Sequence, residues 1–202
     1  MFIVINKRSD KLVAVKIVLA GDGAVGKSTI SNRLSKTLNT NEKTSLTPGL
    51  SINKIIVPKE DVSGIIWDLG GQKQFRFLHN DFIKGAKIVI LVYSVEWIHS
   101  LKGIKEWLDI IPKDKIPSKI YLIANKVDSA KRVITQKEGE NFAKENNITY
   151  YEISATNGEG FEQFEDDLIE TIKIISNPEK ELTKEEVLPS NYCSISSSKS
   201  YL

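Results

Sequence analysis

Short, nearly uninterrupted apolar runs recur along the chain, each stopping abruptly at a polar residue or glycine. Val13-Ala14-Val15-Lys16-Ile17-Val18-Leu19-Ala20 is rich in β-branched residues and ends at Gly21, as a strand buried on both faces does. Lys119-Ile120-Tyr121-Leu122-Ile123-Ala124 repeats the pattern and ends at Asn125. The spacing predicts strands at 12–20, 51–57, 63–68, 86–93, 118–124 and 149–153, alternating with helices at 27–38, 73–84, 97–110, 135–146 and 159–175. Residues 39–49 are polar, contain Pro48 and Gly49, and read as a loop. Alternation of this kind predicts an α/β fold: a doubly wound, mostly parallel six-stranded sheet with helices on both faces. Ligands of such sheets sit at the carboxyl ends of the strands.

Those ends carry the chemistry. After the first strand comes Gly21-Asp22-Gly23-Ala24-Val25-Gly26-Lys27-Ser28, a GxxxxGK[S/T] phosphate loop between strand and helix. Its glycines let the backbone approach a phosphate closely, and successive N–H groups from Gly23, Ala24, Val25 and Gly26 to Thr29 form an anion nest at the helix start. Lys27 is placed to reach the β- and γ-phosphates as a point charge, and the Ser28 hydroxyl to ligate Mg²⁺. Thr47 follows Lys27 by 20 residues, in Leu46-Thr47-Pro48-Gly49. A threonine there offers a hydroxyl to Mg²⁺ and an N–H to the γ-phosphate, ordering its loop only while that phosphate is bound. Asp68 lies 41 residues after Lys27 and closes the metal shell from the other side. In the adjoining Gly70-Gly71-Gln72, the Gly71 N–H is placed to touch the γ-phosphate and Gln72 to orient the attacking water.

The base is read elsewhere. Asn125-Lys126-Val127-Asp128 leaves the 118–124 strand, and the Asp128 carboxylate matches the N1–H and N2–H donors of guanine. Adenine offers an acceptor and a C–H there, leaving the carboxylate unpaired, a type of mismatch that sites reject by roughly 10⁴–10⁵-fold. The Lys126 stem can lie along the purine face, Asn125 can tie this loop to the phosphate loop, and Ser154-Ala155-Thr156 can present an N–H to guanine O6. Each motif alone has a bland reading as a turn. Together and in this order they imply GTP or GDP with Mg²⁺, with Lys27, Thr47 and Gln72 as the catalytic group.

These residues resemble the Ras superfamily of small GTPases over roughly residues 12–176. The phosphate loop looks like that of the Rho and Rab groups, WDLGGQ at 67–72 like that of the Arf and Gα groups, and FIKGAKIVILVYSV at 82–95 like the Rab pattern. No one branch is assigned, and the mixture also resembles small GTPases of archaea. The resemblance implies a monomeric switch in signalling or membrane traffic, served by an activating protein, an exchange factor and effectors. Three departures stand out. Leu38 and Asn39 occupy the place of the usual base-side aromatic, Ser94 stands where relatives usually carry aspartate, and no arginine lies between Arg33 and Arg76 to act as a built-in finger. Arg76 resembles a family arginine used for structure and effector contacts. Slow turnover, raised by a partner in trans, is therefore expected.

Composition narrows the classes further. A 202-residue chain with net charge +2 and four arginines (Arg8, Arg33, Arg76, Arg132) does not suit nucleic-acid binding as its main task. The single cysteine, Cys193, excludes an internal disulfide and fits a reducing cytosol. Residues 1–11 are expected to be an N-terminal extension that adds an edge strand or pairs with a partner, 12–176 the nucleotide-binding domain, and 177–202 a flexible serine-rich tail. That tail has three lysines against four glutamates, so it is no polybasic tether. Phe2 stands where myristoylation needs glycine, Lys199-Ser200-Tyr201-Leu202 has no prenylatable cysteine, and no apolar stretch suits an integral membrane span. A cytoplasmic protein is expected; peripheral membrane association stays open, with no recognisable lipidation motif. His79 and His99 lack metal-ligand spacing, and Trp97 and Trp107 read as packing residues of one amphipathic helix. A second reading is a nucleotide-stabilised interaction module without turnover. An ATP-using kinase or ATPase is disfavoured by Asp128.

Overall fold

The computed structural model describes residues 13–37, 43–47, 49–57, 61–71 and 76–177, with backbone alone for 37, 43–47 and 76–79. The expected N-terminal strand in 1–11, Leu38, Asn39, Gln72 and the tail from 178 with Cys193 lie outside the described residues. The elements run β1 Val13–Gly21, α1 Lys27–Thr37, β2 Lys43–Thr47, β3 Leu50–Ile56, β4 Val62–Leu69, α2 Arg76–Ile83 and β5 Ile88–Ser94. They continue with α3 Ile98–Lys102, α4 Ile104–Asp109, β6 Lys119–Asn125, α5 Gln136–Glu145, β7 Thr149–Ile153 and α6 Phe161–Ser176.

One sheet orders the strands β2-β3-β4-β1-β5-β6-β7. β4, β1, β5, β6 and β7 are parallel, whereas β3 runs antiparallel to both β4 and β2. The six expected strands are all present, and a seventh is added at one edge. This seventh strand, β2, corrects the reading of 39–49 as a loop. Among the described residues its backbone pairs only with β3, with a register shift between Ser45 and Thr47. An edge strand needs one ladder and no buried face, so it leaves little apolar signal.

The doubly apolar strands split their side chains by alternation. Val15, Ile17 and Leu19 of β1, with Ile88, Ile90 and Val92 of β5, pack under α1 and α6 against Ile30, Leu34, Phe164 and Leu168. Val18 and Ala20, with Val89, Leu91 and Tyr93, pack on the other face against Ile83, Leu101, Ile104, Trp107 and Ala143 from α2 to α5. Covering both faces fixes strand register and hence the position of every loop at the carboxyl edge. Among the described residues no helix is long and apolar enough to cross a membrane.

The helix expected at 97–110 is instead two, α3 and α4, meeting at Gly103. Gly103 keeps right-handed dihedrals (φ −63°, ψ −19°), but the Glu106 N–H returns to its carbonyl in an i to i+3 turn of 3.1 Å. Glycine is a weak helix former, and a Cβ here would come within 2.9 Å of Asp22 Oδ2 in the phosphate loop. Trp97 and Trp107 therefore do not share a helix: Trp107 is buried in α4, while Trp97 precedes α3 and is exposed.

Candidate functional site

β1 lies at the point where strand order reverses, with β4 on one side and β5 on the other. The loop leaving it, residues 22–26, leads directly into α1 at Lys27. Ala24 (φ 59°) and Gly26 (φ 100°) are left-handed on either side of Val25, a backbone pattern suited to an anion nest. Lys27 is buried beneath this loop, and its Nζ donates to the carbonyls of Gly21 at 2.9 Å and Asp22 at 2.6 Å. Burial pushes the Lys27 ammonium below the usual lysine range, while the Asp68 and Asp22 carboxylates pull it back up. The result is a cation held at the mouth of β1 by carbonyl dipoles and flanked by two carboxylates.

Asp68, near the end of β4, accepts a hydrogen bond from Ser28 Oγ at 2.6 Å and from Ser51 Oγ at 3.4 Å on the same oxygen. Ser28 opens α1, so two neighbouring carboxyl-edge elements place a hydroxyl and a carboxylate in direct contact. Beyond Asp68 the chain crosses the phosphate loop. A Cβ on Gly71 would run into the backbone of Asp22 and Gly23, so only glycine allows this approach. The Gly70 N–H donates to the Gly49 carbonyl at 2.6 Å, joining the segment after β4 to the turn between β2 and β3. Thr47 lies at the end of β2, paired with Leu50, but its side chain is outside the described residues. Of the three expected catalytic residues, Lys27 is therefore the one whose side chain is placed. Arg76 begins α2, with its side chain likewise undescribed.

The motifs that follow β6 and β7 converge. Asn125, the last residue of β6, donates from Nδ2 to the Val25 carbonyl at 2.8 Å and accepts at Oδ1 from the Ala155 N–H at 3.0 Å. One buried side chain thus joins the phosphate loop, the 125–128 loop and the 154–156 loop. Between them lies a cavity of about 210 Å³ lined by Gly26, Thr29, Asn125, Lys126, Asp128, Ala155 and Thr156, with Glu96 and Ser129. Lys126 adopts φ 67°. Ser154 is buried, and its Oγ accepts from the Asn157 N–H at 3.1 Å, shaping the turn that presents Ala155 and Thr156.

Two residues at this site were not read from the sequence. Arg33, on α1, donates from Nη1 to the carbonyls of Ala155 at 3.2 Å and Thr156 at 3.3 Å, with its guanidinium 5.0 Å from the Phe161 ring centroid. Glu96, two residues beyond β5, accepts from Lys126 Nζ at 2.9 Å and Ser129 Oγ at 2.6 Å. Arg33 carries a signal in hindsight, because it lies six residues after Lys27 on the helix whose start holds the phosphate loop. Glu96 carries none beyond emerging at the sheet's carboxyl edge beside β6.

A backbone anion nest with a buried lysine can hold phosphates, a hydroxyl–carboxylate pair can ligate a hard cation, and a carboxylate at a cavity of this size can read a base edge. A family model described as "Ras family" matches residues 16–174. Ras-related protein Rab-18 of Caenorhabditis elegans is 30% identical over 174 residues, covering 85% of this chain and 85% of the relative. Ras-related protein Rab-7B of Dictyostelium discoideum is 31% identical over 196 residues, covering 92% of this chain and 93% of the relative. GTP-binding protein ypt3 of Schizosaccharomyces pombe is 29% identical over 179 residues, covering 86% and 83%. The fold, the converging motifs and these likenesses agree: the chain belongs to the Ras family of small GTPases, and within it is Rab-like.

Proposed function

We propose that this chain is a Mg²⁺-dependent molecular switch that binds GTP and GDP, hydrolyses GTP slowly, and acts at the cytoplasm in signalling or membrane-traffic regulation. The observation that carries the reading is Asn125, which ties the Val25 carbonyl to the Ala155 N–H around one cavity. That linkage sets phosphate-binding backbone and base-reading residues at a fixed separation, as a single nucleotide requires.

In this reading the 23–29 backbone and Lys27 hold the phosphates, and Asp128 and the Ala155 N–H read the base. Ser28 and Asp68, whose oxygens are 2.6 Å apart, form an oxygen donor pair of the kind Mg²⁺ takes. With the Thr47 hydroxyl they would hold the ion, which when bound neutralises charge developing on the phosphate oxygens. Gln72 orients the attacking water. The Gly71 approach to the phosphate loop couples the segment after β4 to the presence of the γ-phosphate, and the Gly70–Gly49 hydrogen bond passes that coupling to the Thr47 turn. The 12–176 segment forms the switch as a monomer. An activating protein, an exchange factor and effectors act on it in trans.

The base assignment is tested by Asp128→Asn, which exchanges two acceptors for one acceptor and a donor. Preference should move from guanine to xanthine nucleotides, read by competition against fluorescent GDP. Unchanged guanine preference would remove Asp128 from base reading.

A further inference from the structure

Glu96 is reached from β5 rather than from any nucleotide motif. β5 pairs with β6 so that Ser94 lies beside Asn125, and the chain leaving β5 passes alongside the 125–128 loop. Glu96 bridges that gap with both carboxylate oxygens: Oε2 accepts from Lys126 Nζ at 2.9 Å and Oε1 from Ser129 Oγ at 2.6 Å. The two grips fall on either side of Asp128. The anchor is itself fixed, since the Glu96 N–H donates to Ser94 Oγ at 3.3 Å, and the buried Ser94 N–H donates to Ser100 Oγ at 3.1 Å. Val95 between them accepts from the Val133 and Ile134 N–H groups.

Two facts separate this arrangement from an ordinary surface ion pair. Lys126 holds a left-handed φ of 67°, a conformation that a residue with a side chain keeps only where its surroundings impose it. The carboxylate also lines the same cavity as Asp128, so unless paired it would add a second negative charge beside the base-reading one. We propose that Glu96 is a positioning residue of the base site, bracing Lys126 and Ser129 so that the lysine stem covers one purine face and Asp128 is held between them. The proposal rests on the reading of the cavity as the guanine site. It assigns to a β5-edge carboxylate part of the nucleotide retention that base-side stacking otherwise supplies.

The test is release of fluorescent GDP and fluorescent IDP from the full-length protein, in the wild type, Glu96→Ala, Glu96→Gln, Lys126→Met and the Glu96→Ala/Lys126→Met pair. Glu96→Ala should speed release about fivefold, as an ion pair of this partial exposure allows. Glu96→Gln, which keeps an acceptor for Ser129, should fall between. In the Lys126→Met background the Glu96→Ala effect should shrink below about twofold, because its partner has gone. GDP and IDP should respond alike, since covering the purine face does not read the 2-amino group. Wild-type release from both Glu96 variants, an undiminished effect in the Lys126→Met background, or a GDP-only effect would each overturn the proposal alone. A wild type that exchanges GDP for ADP as readily as for GTP would overturn the guanine reading and this proposal with it.

Discussion

Asn125 Nδ2 stands where a side chain on Gly26 would project, and from there it donates to the Val25 carbonyl at 2.8 Å. The absence of a Cβ at Gly26 and the presence of an amide at position 125 are one structural requirement met from two distant parts of the chain, 99 residues apart. Gly26→Ala forces a side chain into a backbone with φ 100° and into the Asn125 amide at once. Strain of this kind costs on the order of 1–3 kcal/mol, so GDP release should accelerate by about tenfold or more. Stopped-flow release of fluorescent GDP, beside a circular-dichroism check of folding, reads this directly. A folded variant with wild-type release would break the link between the two residues.

Arg33 makes a second, independent tie. Its hydrogen bonds to the Ala155 and Thr156 carbonyls are partly exposed, so their contribution is discounted to about 1 kcal/mol. Arg33→Ala should therefore raise the GDP release rate about fivefold while lowering the thermal midpoint by only about 2–4 °C. A large fall in the midpoint without faster release would make Arg33 a fold residue only.

The Ser28–Asp68 contact at 2.6 Å predicts how the protein answers to metal removal. Chelating free Mg²⁺ should speed GDP release from the wild type, since Ser28 and Asp68 would hold an ion that favours the nucleotide-bound state. Asp68→Ala should release GDP quickly already, with little further response to chelator. Equal chelator sensitivity in wild type and variant would remove Asp68 from the metal site.

A different region governs behaviour in alkali. Tyr93 is buried under α5, with its hydroxyl 3.2 Å from that of Tyr150, which donates to Glu152 at 2.8 Å. Burial, only partly offset by the Tyr150 hydrogen bond, pushes the Tyr93 phenol from 10 up to about 12. The folded value lies above the unfolded one, so this contribution to stability is full below pH 10 and is lost as pH rises through about 12. Denaturant midpoints should fall over that window, and less in Tyr93→Phe. An identical alkaline decline in Tyr93→Phe would assign it to other groups.

What the sequence revealed and what it hid follow from how each signal is encoded. Buried strands such as β1, β5 and β6 announce themselves because both faces are apolar, and the motifs at their carboxyl ends are contiguous in the chain. β2 was hidden because an edge strand satisfies only its backbone, so Lys43–Thr47 shows no alternation. The break at Gly103 was hidden because one glycine in a helical pattern is ordinarily tolerated. Asn125, Lys126 and Asp128 were legible as a motif, and the bond between Asn125 and Val25 followed the expected tie to the phosphate loop. Glu96 and Arg33 act through side chains that reach across neighbouring elements, to Lys126 and to the 155–156 carbonyls. Such reach is a property of strand order and helix placement, and no spacing along the chain records it.

Turnover of GTP with Gln72 orienting water is what would make this protein a switch. Its most direct test is single-turnover hydrolysis of GTP with Mg²⁺, in wild type and Gln72→Leu, with excess ATP present. Cleavage is expected on the order of 10⁻⁴ to 10⁻³ s⁻¹ without inhibition by ATP, with a Gln72→Leu variant that binds GTP equally but cleaves it markedly more slowly. Tight GTP retention by the wild type with no cleavage over about a day, on a scale where that rate predicts completion, would contradict it. The chain would then be a nucleotide-stabilised interaction module.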